Sequence, residues 1–118
     1  MNGIEHNPTA NRVAIVTGGG RGLGRAMSIG LARAGVRVVI TAAREATEIA
    51  DTAERVRAEC GEERILPLLA DVTLEADCER VIAAALDRWQ RLDILVNNAG
   101  RGMKYVSERF LTEPARFW

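Results

Sequence analysis

Between Arg12 and Asn97 two apolar rhythms alternate along the chain. Four short, nearly unbroken aliphatic runs are rich in β-branched residues: Val13 to Thr17 (VAIVT), Val36 to Thr41 (VRVVIT), Arg64 to Ala70 (RILPLLA) and Leu92 to Asn97 (LDILVN). Runs of this length predict strands, and the first, stopped by glycine, predicts one buried on both faces. Between them the apolar positions recur at helical spacing. Leu23, Ala26, Met27, Leu31 and Ala34 mark a first helix, with Gly35 as its left-handed stop. Ile49, Ala53, Val56 and Cys60 form one stripe over Ala46 to Cys60, with Gly61 just past the end. Cys78, Val81, Ile82, Ala85, Leu86 and Trp89 give the most regular stripe, over Leu74 to Trp89.

Strands alternating with helices of this length are the pattern of βαβ units, whose right-handed crossovers produce a parallel sheet. The predicted class is therefore α/β. Pro67 lies inside the third strand, and a proline cannot donate to a ladder on both sides, so that strand belongs at an edge. The doubly wound order 3-2-1-4 puts it there.

Composition narrows the setting. A chain of 118 residues supports one domain, and 47% hydrophobic with 27% charged residues is globular rather than disordered or collagen-like. Sixteen basic and sixteen acidic side chains leave no net field to gather nucleic acid or an anionic membrane. Cys60 and Cys78 both fall in predicted helices, so no disulfide framework and a reducing compartment are expected. Met1 to Arg12 reads as a polar, loosely ordered arm without a signal peptide. No segment has the length of a membrane span, and a cytoplasmic protein is expected.

Glycine is concentrated where the first strand meets the first helix. Five of the eleven glycines lie between Gly18 and Gly24. Backbone N–H groups and the helix dipole favour an anion at such a junction, and missing side chains let a phosphate approach the backbone closely. Thr17-Gly18-Gly19-Gly20-Arg21-Gly22-Leu23-Gly24 is neither G-x-G-x-x-G nor a P-loop. It reads T-G-x-x-x-G-x-G.

That octet resembles the signature of the short-chain dehydrogenase/reductase family. Gly35 before the second strand, Asp71-Val72-Thr73 after the third and Asn97-Asn98-Ala99-Gly100 after the fourth extend the resemblance from Val13 to Gly100. It implies the first half of a Rossmann-type doubly wound sheet. It further implies that backbone around Gly18, Gly20, Gly22, Leu23 and Gly24 holds a dinucleotide's pyrophosphate and adenine ribose. Asp71 would accept from the adenine amino group with Val72 beside the ring, and Asn97, Asn98, Ala99 and Gly100 would line the cleft toward the nicotinamide. Two of these residues keep a second reading: Asp71 as cap of the helix beginning near Leu74, and Asn97 as a tie between neighbouring strands.

Coenzyme choice follows from charge. An NAD site offers a carboxylate at the end of the second strand to the ribose 2′-hydroxyl. Here that residue is Ala42, followed by Ala43 and Arg44, and Arg21 is a second cation in the glycine loop. Two arginines without the carboxylate predict NADP(H), with NAD(H) as the alternative.

The family's chemistry is hydride transfer between the nicotinamide and a small carbonyl or alcohol substrate, and it uses a tyrosine, a lysine four residues later, a serine and an asparagine from the second half of the fold. Tyr105 is followed four residues later by Arg109, but directly after the fourth strand, and arginine replaces the compact lysine donor. No catalytic residue and no metal site are assigned, and the chain alone is expected to be inactive. Residues 13–118 are read as a cofactor-binding half-domain after the arm 1–12, the catalytic half being absent. Its bare faces predict either a longer reductase or cover by another copy in a homo-oligomer. The competing reading is a dinucleotide-binding or assembly module without turnover. A helix is expected to begin near Glu113, with Thr112 as its N-cap and Pro114 in its first turn, and Phe110, Phe117 and Trp118 are expected to be either mobile or, in an ordered crystal, packed against a second chain.

Overall fold

The structure, a computed structural model, describes residues 10–61 and 64–99. Seven elements follow in strict alternation: β1 (Val13–Thr17), α1 (Gly22–Arg33), β2 (Arg37–Ala42), α2 (Ala46–Cys60), β3 (Ile65–Leu69), α3 (Glu75–Trp89) and β4 (Ile94–Val96). The four strands form one parallel sheet in the order β3-β2-β1-β4. Pro67 pairs with Ile40 on the edge strand β3, where its missing N–H leaves no central ladder broken. The expected order is the observed one.

Alternation along the strands sends side chains to two opposite layers. Ala14, Val16, Val38 and Ile40 pack under α1 and α2 against Ile29, Ala32, Ile49, Ala53 and Val56. Val13, Ile15 and Val39 face the other way and meet Val81, Ala85 and Trp89 of α3. All five residues of β1 are buried, as a strand covered on both faces requires.

The apolar stripes correspond unequally to the buried faces. On α2, Ile49, Ala53 and Val56 are buried as expected, joined by Thr52, while Cys60 is half-buried. On α1 the expected stripe is displaced: Gly24, Ser28, Ile29 and Ala32 are buried, whereas Leu23 is 69% exposed and Ala26 and Ala34 are exposed. Gly24, Ser28 and Ala32 stand four residues apart on one face, and their small size lets α1 lie close to β1 and its loop. Close approach decides the buried face here, not side-chain hydropathy. On α3 the line Val81, Ala85 and Trp89 is buried, but Ile82 and Leu86 are exposed. Leu95 of β4 pairs with Ile15, so it stands on the same sheet face as α3, and it too is exposed.

Strand and helix ends differ from expectation by one to a few residues, most at β4, which is three residues long. Gly35 and Gly61 follow α1 and α2 with φ of 96° and 98°, as the stop signals predicted. Cys60 and Cys78 are both free. No helix among the described residues is long and apolar enough to cross a membrane. Residues 1–9 of the predicted arm, Gly100, Tyr105 and the aromatic tail lie outside the described residues.

Candidate functional site

The C-terminal ends of β1 and β4 meet the N-terminus of α1, and the glycine octet joins them. The Gly18 and Gly19 N–H groups donate to the Thr41 carbonyl at 2.9 and 3.1 Å, which hangs the loop from β2. Gly18 has φ of 70°, a left-handed backbone that glycine adopts without strain. Gly24 is required for proximity instead. A Cβ there would overlap the Gly18 carbonyl and come within 2.5 Å of Asn98 Nδ2. The first turn of α1 carries no acidic side chain of its own.

The loop is locked to the end of β4 by Thr17 and Asn98. The Thr17 hydroxyl oxygen accepts the N–H groups of Asn98 and Ala99, each at 2.9 Å. Its proton points toward the Val96 carbonyl or Asn97 Oδ1, each 3.4 Å away. Asn98 Nδ2 donates to the Gly18 carbonyl at 3.2 Å. Asn97 therefore contributes to the strand tie, but Asn98 makes the shorter link. With Ala99 beside Gly18, residues 97–99 and the loop form one wall-and-floor unit.

Asp71 does not cap α3. Its Oδ1 accepts the N–H and hydroxyl of Thr73 at 2.9 and 2.6 Å, a local turn, and Leu74 is the cap residue. The reach-back is made by Asp77, whose Oδ2 accepts the Asp71 N–H at 2.7 Å and fixes the start of this turn. Val72 beside it is half-buried, and its carbonyl receives the Cys78 thiol at 3.2 Å.

At the end of β2, Ala42 is half-buried and Ala43 and Arg44 are exposed. Arg21 projects from the loop with its side chain 82% exposed and its Nε 3.7 Å from Glu48 Oε2. A Cβ on Gly20 would stand 2.9 Å from Glu48 Cβ, so the first turn of α2 presses directly on the loop. One turn further, the buried Thr52 hydroxyl lies 3.1 Å from the Glu48 carbonyl and 3.4 Å from that of Gly20. Arg25 reaches Thr52 at 3.4 Å.

Thr17, Glu48 and Thr52 are absent from the residues that the sequence suggests for a role in the site. Thr17 carried a signal, being the one hydroxyl in the octet's first place. Glu48 and Thr52 carried none, because they reach the loop from a different helix, 28 and 32 residues along the chain from Gly20.

The model of short chain dehydrogenases matches residues 12–115. The chain belongs to the short-chain dehydrogenase family. It is similar to a rhamnolipids biosynthesis 3-oxoacyl-[acyl-carrier-protein] reductase of Pseudomonas aeruginosa, 48% identical over 109 residues, covering 92% of this chain and 40% of that protein. Among solved structures, a short chain dehydrogenase/reductase from Burkholderia phymatum in complex with NAD superimposes with a TM-score of 0.74 at 29% identity, covering 88% of this chain and 37% of that one. The C-domain of a bacterial malonyl-CoA reductase with NADP gives a TM-score of 0.73 at 33% identity, over 78% of this chain and 15% of that chain. The chain thus spans less than half the length of each of these three proteins.

Proposed function

We propose that this chain is the dinucleotide-binding part of an NADP(H)-dependent short-chain reductase. The loop from Gly18 to Gly24 carries this reading, since it presents bare backbone at the start of α1, with open space at Gly22 and no acidic side chain in the helix's first turn. It fits a pyrophosphate, with the N–H groups at the start of α1 as donors. Arg21 and Arg44 hold a ribose 2′-phosphate through charge-assisted bonds, and Ala42 leaves out the carboxylate that would repel it. Asp71 accepts from the adenine amino group beside Val72, and Asn97, Asn98, Ala99 and Gly100 line the path toward the nicotinamide.

The bound coenzyme would supply or take up a hydride at a carbonyl or alcohol carbon of a small substrate. This chain's own residues bind and orient; none is assigned to proton transfer. Its single tyrosine, Tyr105, has Arg109 rather than a lysine four residues on, so the chain by itself is expected to turn over no carbonyl substrate. Residues 13–118 form the cofactor-binding half-domain, and the exposed Ile82, Leu86 and Leu95 suit cover by further protein, as in a homo-oligomer. Two free cysteines suit a reducing, cytoplasmic setting.

Paired titrations with NADPH and NADH test the preference. The parent binds NADPH more tightly, and Ala42→Asp with Arg44→Ala reverses the order by adding a repulsive carboxylate and removing a cation. Equal affinities in the parent would contradict the NADP(H) assignment.

A further inference from the structure

We infer that Glu48 is a selectivity residue that weakens the preference for a 2′-phosphorylated coenzyme. This rests on the cofactor reading above and adds a residue that the loop and strand motifs do not contain. Glu48 stands in the first turn of α2, four residues after Arg44, with its carboxylate 3.7 Å from the guanidinium of Arg21. Of the two cations assigned to the 2′-phosphate, one is therefore already facing a carboxylate.

The backbone that carries this carboxylate is held in place. The Glu48 Cβ abuts the Gly20 backbone, where no side chain intervenes, and the Thr52 hydroxyl stands on the buried side within reach of the Glu48 carbonyl and, more distantly, that of Gly20. Only the outer torsions of Glu48 are left to turn away. A phosphate entering between Arg21 and Arg44 separates the Arg21–Glu48 pair and meets an unneutralised negative charge a few ångströms away. A ribose 2′-hydroxyl has neither cost, and it can donate to the same carboxylate. Glu48 thus supplies from a helix part of what an NAD site draws from the end of the second strand, where this chain has Ala42.

The test compares the parent with Glu48→Gln, which keeps the length and polarity of the side chain and removes its charge. NADPH, NADH, adenosine 2′,5′-bisphosphate and 5′-AMP are titrated into each at low salt. Glu48→Gln is expected to tighten NADPH and the bisphosphate by about fivefold while NADH and 5′-AMP change by less than about twofold. Glu48→Asp, which keeps the charge, stays near the parent. An equal change for phosphorylated and unphosphorylated ligands, or no change for either, overturns the proposal. If the parent prefers NADH and Glu48→Gln narrows the gap, the inference about Glu48 stands while the NADP(H) preference falls. Binding of no nucleotide overturns both.

Discussion

The hydroxyl oxygen of Thr17 accepts the Ala99 N–H at 2.9 Å across 82 positions of sequence. It accepts the Asn98 N–H at the same distance, so one side chain satisfies two backbone donors at the end of β4. Both of the hydroxyl's acceptor positions are thereby filled. Thr17→Val keeps the shape and leaves both N–H groups without this partner, which is expected to cost about 2 kcal/mol in urea unfolding. Thr17→Ser restores most of it. Equal stability of the valine and serine variants would show that the hydroxyl does not hold the strands.

Two glycines of the same helix are expected to respond with opposite sign. Gly24→Ala drives a methyl into the Gly18 carbonyl and Asn98, atoms that cannot move without opening the loop. A loss of about 2 kcal/mol follows, together with weaker coenzyme binding. Gly30 has nothing within 4 Å of the equivalent position and ordinary helical backbone. Gly30→Ala is expected to stabilise by about 0.5–1 kcal/mol through helix propensity. Denaturant midpoints for the two variants check both signs.

Acid stability has an identifiable contributor at the α1–α2 contact. Glu59 accepts from Arg33 at 2.7 and 2.9 Å and from Arg55 at 2.8 Å. Those hydrogen bonds, the Arg33 pair first, bring its carboxyl down from 4.5 to about 2. A carboxylate depressed on folding contributes fully above its unfolded value and loses that contribution as pH falls through the folded one. The parent is therefore expected to lose stability between pH 4.5 and about 2 more steeply than Glu59→Gln. Parallel pH profiles of thermal unfolding for the two proteins would refute the assignment.

The layer order and the loop were legible because each rests on local chemistry. Pro67 excludes a central strand by itself, and five glycines in seven positions have no use inside an element. The buried face of α1 was not legible from hydropathy, since Gly24, Ser28 and Ala32 are selected for close approach while Leu23 is left outside. Asp71 offered a cap by its position before α3, yet its carboxylate turns to Thr73 and Asp77 takes the reach-back contact instead. Glu48 and Thr52 reach Gly20 across the α1–β2–α2 crossover. Their part in the loop is a product of packing between elements, which spacing within one element does not encode.

We propose that the loop from Gly18 to Gly24 and the segments 71–72 and 97–99 form one dinucleotide site. Backbone amide chemical shifts of the ¹⁵N-labelled chain, followed during titration with NADPH, test it most directly. The largest changes are expected at Gly18 through Gly24, at Asp71 and Val72, and at Asn97 through Ala99, with α3 beyond Cys78 nearly silent. Saturating NADPH that leaves the Gly18–Gly24 amides unmoved, or that shifts only residues away from these three segments, would show that the coenzyme does not bind there.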